Sequence, residues 1–132
     1  MSPDTFKKAK AAVIQVGTAR GFVVKGPKDD PVVITASHCL RRLPRVNRSE
    51  LRGICSNQIG LLHQKPTIWT ECLFVDPIAD IAVLASVDDQ ALPEEADAYD
   101  RLFQPIKPIP IGPMEEKTKA WLLSLEGEWS EC

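Results

Sequence analysis

The sequence predicts an all-β fold of antiparallel strands, on three observations. Short β-branched runs follow one another at close spacing: AAVIQV at 11–16, GFVVK at 21–25 and PVVITA at 31–36. Eleven prolines against seven glycines imply many turns rather than long helices. The apolar stretch from Ile68 to Val75 alternates faces with the period of a strand. At this level the pattern fits a barrel or a sandwich.

Residues 1–10 read as a polar lead-in. The first two strands are joined by Gly17-Thr18-Ala19-Arg20. KGPKDD at 25–30 is a turn, in which Asp29 and Asp30 can bond local backbone. The third strand ends in Ser37-His38-Cys39. Between Arg41 and Arg52 lie five arginines, with Glu50 and Pro44. No aromatic residue interleaves with them as stacking on nucleic acid requires, so this is read as a solvated loop. Further strands fall near Ile59–Leu62 and at 68–75. In the latter, Ile68, Thr70, Cys72 and Phe74 share one face, and Trp69, Glu71, Leu73 and Val75 the other. In DPIADIAVLAS (76–86), Asp76 and Pro77 make a turn and IAVLA a buried strand. Residues 88–101 carry six carboxylates and one arginine, and read as a surface linker with a helical turn after Pro93. With the extended, proline-rich QPIKPIPIGP, this forms a connector over 88–118. Residues 119–132 read as a strand, a turn at Glu126-Gly127 and the start of another strand.

The chain of 132 residues suffices for one domain with a core. A net charge of −2 points to neither nucleic acid nor an anionic membrane. No run approaches the ~18 apolar residues of a membrane span. The polar start shows no signal peptide, so the expected location is cytoplasmic. Cys39, Cys55, Cys72 and Cys132 form no CxxC pair and are expected as free, mostly buried thiols. Adjacent His38 and Cys39 cannot easily ligate one tetrahedral ion, so no metal is expected, and no cofactor.

On its own, a histidine at a strand end reads as a hydrogen-bonded cap. The surrounding residues change that reading. VITASHCL at 33–40 resembles the histidine segment, TAAHC, of trypsin-like (chymotrypsin-fold) serine peptidases. DIAVL at 80–84 resembles the aspartate segment of that family. GTARGFVV is similar to the strand pair before the histidine in bacterial members, and AWLLSLEGEW to the crossing into the second barrel. The likeness spans roughly residues 11–130, with the two motifs 42 residues apart.

The resemblance implies a six-stranded antiparallel Greek-key barrel over 11–87, the family's first barrel. The hairpin at 119–132 would be the incomplete start of the second. It also implies His38 as general base and Asp80 as its orienting partner, within ~2.6–3.2 Å. A serine hydroxyl needs a base to take its proton, and imidazole suits because its unperturbed pKa is near ~6.5. The carboxylate fixes the tautomer and stabilises the imidazolium. Asp76 and His63 do not match the family positions and are read as a turn cap and a surface residue.

The departure is the nucleophile. The family's GxSGxP segment, which also forms the oxyanion hole, is absent from the sequence. Ser124, Ser130 and Cys132 lack its flanking glycines. The expected function is therefore a fragment of a serine endopeptidase, inactive alone, acting on peptide or protein once the second barrel is supplied. The alternative is a catalytically dead, peptidase-like binding module. Under the first reading an apolar patch at Trp121, Leu123 and Trp129 is exposed and open to self-association.

Overall fold

The computed structural model describes residues 3–40, 53–111, 120–124 and 126–131. Six strands close into an antiparallel barrel: β1 (Val13–Val16), β2 (Ala19–Lys25), β3 (Pro31–Thr35), β4 (Ile54–Gly60), β5 (Ile68–Asp76) and β6 (Ile81–Ala85). The order around the barrel is β1-β2-β3-β6-β5-β4, and β4 returns to β1 through Gln15↔Gly60 and Val16↔Ile59. The fold is all-β with a closed barrel. β3 pairs with β6 rather than with β4, which gives the Greek-key crossing.

Alternation builds the core. Ile14, Val16, Val23, Val33, Ile59, Ala82 and Leu84 are all at most 1% exposed. Fully burying each Val, Leu or Ile side chain contributes about 1.5–3 kcal/mol against the entropy of ordering the chain. The β1–β2 turn is two residues long and opens on Gly17, whose φ of 56° is the left-handed value such a hairpin needs.

Three local expectations are corrected. The register of β5 against β6 shifts between Cys72 and Phe74. The bulge turns the following residues over, so Val75 packs on the core and Phe74 is 54% exposed, the reverse of simple alternation. The acidic stretch holds more than the single helical turn expected after Pro93: Pro93–Phe103 forms helix α2, eleven residues long. Its buried stripe is Ala96, Tyr99 and Phe103, with Glu94 and Glu95 in the first turn and Arg101 in the last. Helix α1, Pro3–Ala11, takes up most of the lead-in expected over 1–10 and Ala11, expected in the first strand, with Asp4 and Lys8 paired at 3.2 Å.

After α2 the chain runs extended, and Ile109 N–H donates to the Val23 carbonyl at 2.8 Å. A separate hairpin follows, β7 (Trp121–Leu123) and β8 (Trp129–Glu131). The open patch expected there is occupied: Phe6 of α1 packs edge-on against Trp121 at 4.9 Å and beside Trp129 at 5.0 Å, and Leu123 is buried. The arginines of 41–52 and Cys132 lie outside the described residues.

Candidate active site

The β3–β6 pairing places the two sequence-predicted residues at one end of the barrel. Thr35 stands opposite Ala82, so His38, just past the end of β3, and Asp80, just before β6, emerge side by side. His38 sits in a single 3-10 turn, Ser37–Cys39, closed by Leu40 N–H donating to the Ser37 carbonyl at 3.1 Å. Two core-edge residues hold this turn from behind. Gln58 donates from Nε2 to the Cys39 carbonyl at 3.2 Å, and a Cβ at Gly17 would meet that carbonyl oxygen at 2.8 Å. Only glycine permits so close an approach.

Asp80 is set by its own turn. Asp76 Oδ1 accepts from the N–H groups of Ile78 (3.0 Å) and Ala79 (3.1 Å), which is the turn-cap role expected of it. Asp80 has φ 59°, a left-handed conformation that Asp tolerates better than most residues. Its carbonyl accepts from Ser37 N–H at 3.2 Å.

The carboxylate is shared among three donors. Oδ2 lies 2.5 Å from His38 Nδ1. Oδ1 accepts from His38 N–H at 2.9 Å and from the Ser37 hydroxyl at 2.8 Å. These contacts favour the ionised form and hold the Asp80 carboxyl down at about 2. The His38 ring contributes most, then the His38 N–H and the Ser37 hydroxyl. An ionised carboxylate only accepts, so Nδ1 carries the proton. In the neutral ring Nε2 is then left with a free lone pair, on a side chain 73% exposed.

Ser37 had no assigned role in the sequence. The signal was present as a serine where TAAHC has its second alanine. Gln58 lies in no motif, and Gly17 opens GTARGFVV without that likeness assigning it a role. The other candidates stand elsewhere. His63 is an exposed loop residue whose N–H donates to Gln15 Oε1. Ser124 belongs to the hairpin turn, its hydroxyl accepting from Glu128 N–H at 3.1 Å, and Ser130 lies in β8.

Cys39, Cys55 and Cys72 are free thiols, half-buried rather than fully buried. Burial and the neighbouring Cys72 push Cys55 up to about 11, so it is a packing group rather than a nucleophile. Among the described residues no three His, Cys, Asp or Glu side chains are grouped to hold a metal ion. No helix among them is long and apolar enough to cross a membrane. No family model, no curated protein and no solved structure matches this chain.

Proposed function

We propose that this chain carries the base-bearing half of a trypsin-like serine endopeptidase site. His38 is the general base and Asp80 its orienting partner, and the nucleophilic serine and oxyanion donors come from polypeptide outside this sequence. The observation that supports this reading is the orientation of His38. Its Nδ1 is engaged by an ionised carboxylate and its Nε2 side is open to solvent.

The chemistry follows from that orientation. Nε2 accepts the serine proton as the hydroxyl oxygen attacks the scissile carbonyl carbon. The resulting imidazolium is stabilised by the Asp80 carboxylate, which stays ionised. The same proton then passes from Nε2 to the leaving amine as the peptide bond breaks.

The test is to read the gene in frame beyond the Cys132 codon and express the full product. A GxSGxP segment is expected, with covalent labelling of its serine by a fluorophosphonate probe that is lost in His38→Ala. A stop codon directly after Cys132, with no labelling of the chain, would replace this reading with that of a binding module.

A further inference from the structure

Ser37 and Asp80 clasp each other twice. Ser37 N–H donates to the Asp80 carbonyl, and the Ser37 hydroxyl donates to Asp80 Oδ1. Ser37 is 4% exposed, so its hydroxyl has little water to turn to, while the Asp80 side chain is 43% exposed. The bond that sets a carboxylate's plane is soft, with broad two-fold preference. One anchor at Oδ1, from His38 N–H, would leave that plane free to swing. A second donor at the same oxygen, also from the 3-10 turn Ser37–Cys39, removes that freedom. Oδ2 is then aimed at His38 Nδ1 before any other group arrives.

We infer that Ser37 is a positioning residue for the His38–Asp80 pair. Its buried hydroxyl fixes the Asp80 carboxylate plane, so that His38 keeps its proton on Nδ1 with no donor from a second polypeptide. The role in catalysis rests on the reading of His38 as a base. The orienting role itself is a property of this chain.

The experiment is nitrogen-15 NMR of the uniformly labelled chain at neutral pH, where the two ring nitrogens of His38 report the tautomer. Unaltered protein is expected in the Nδ1–H form. Ser37→Ala is expected to give a mixture of tautomers and to raise the Asp80 carboxyl titration midpoint by about one pH unit, the equivalent of one hydrogen bond to a charge. Ser37→Thr, which keeps a hydroxyl, is expected to restore the Nδ1–H form. A folded Ser37→Ala chain with tautomer and midpoint both unchanged overturns the inference. The hydroxyl proton of Ser37 in the unaltered chain decides the matter independently of either variant. Slow exchange with water is expected, and exchange at the rate of a free serine overturns it. None of these readouts depends on a nucleophile. An oriented His38 in a gene product that no fluorophosphonate labels would overturn the peptidase reading and leave the role of Ser37 standing.

Discussion

Asp80→Asn poses a sharp question to the site, because an amide cannot accept at both of its ends. His38 N–H and the Ser37 hydroxyl both need an acceptor where Oδ1 now lies. The amide carbonyl therefore stays there, and its NH₂ group takes the place of Oδ2. That group donates to His38 Nδ1, which forces the ring proton onto Nε2 and removes the base. Nitrogen-15 shifts should show the tautomer inverted, and a retained Nδ1–H form would refute the argument. The same carboxylate has a stability signature. Its pKa lies at about 2 when folded, against an ordinary 3.8. A depressed carboxyl contributes stability that is complete above the ordinary value and is lost as pH falls through the folded one. The urea midpoint of the unaltered chain, relative to Asp80→Asn, should therefore decline between pH about 4 and about 2. A difference that does not vary across that window would mean the contacts do not favour the ionised form.

At the scale of the element, helix α2 buries Ala96, Tyr99 and Phe103, and Tyr99 adds a hydrogen bond to β3. Tyr99 is 1% exposed, lies tilted against Phe103 with ring centroids 4.4 Å apart and donates its hydroxyl to the Pro31 carbonyl at 2.7 Å. Tyr99→Phe keeps the ring and removes that donor, leaving a carbonyl at the start of β3 short of a partner. A loss of about 1–3 kcal/mol is expected in urea unfolding, and no loss would mean water replaces the hydroxyl. This helix also shows where sequence reading ends. The strands β1, β2, β3 and β6 were legible because consecutive β-branched residues serve a barrel whatever surrounds them. In α2 the six carboxylates of 88–101 dominate the composition, and the buried stripe is only Ala96, Tyr99 and Phe103. In α1 the one large apolar residue is Phe6, whose partners Trp121 and Trp129 lie at the far end of the chain. The bulge after Cys72 has no local signature, so alternation places Phe74 on one face with Ile68, Thr70 and Cys72, which the structure does not. The proximity of His38 and Asp80 was legible because each sits in a motif. The Ser37 hydroxyl was not, because TAAHC carries alanine at that position and so the likeness gives the hydroxyl no partner.

The whole molecule joins a closed body to an attached one. The barrel has no free edge, because β4 returns to β1, and its interior draws side chains from all six strands, β5 contributing Ile68, Cys72 and Val75. The β7–β8 hairpin is different. Two strands alone are marginally stable in water, so this one depends on what it touches. Arg20 of β2 donates to the carbonyls of Leu123 (2.5 Å) and Ser124 (3.1 Å), and Lys10 reaches the Gly127 carbonyl at 3.4 Å. The Arg20 carbonyl in turn accepts from the Thr35 hydroxyl, which keeps the guanidinium's strand in register with β3. Hydrogen bonds to a charged group are worth about 1.5–3 kcal/mol each. Arg20→Ala removes two of them and touches none of the barrel's interior side chains. The Ser124 amide, which bonds the Glu128 carbonyl at 2.8 Å within the hairpin, should lose roughly 10–100-fold of its hydrogen-exchange protection. The amides of Val23, Val33 and Leu84 should keep theirs, because the barrel opens only as a unit. Equal losses at both sets of amides would mean that hairpin and barrel unfold together, and that Arg20 stabilises one cooperative body rather than tethering a second.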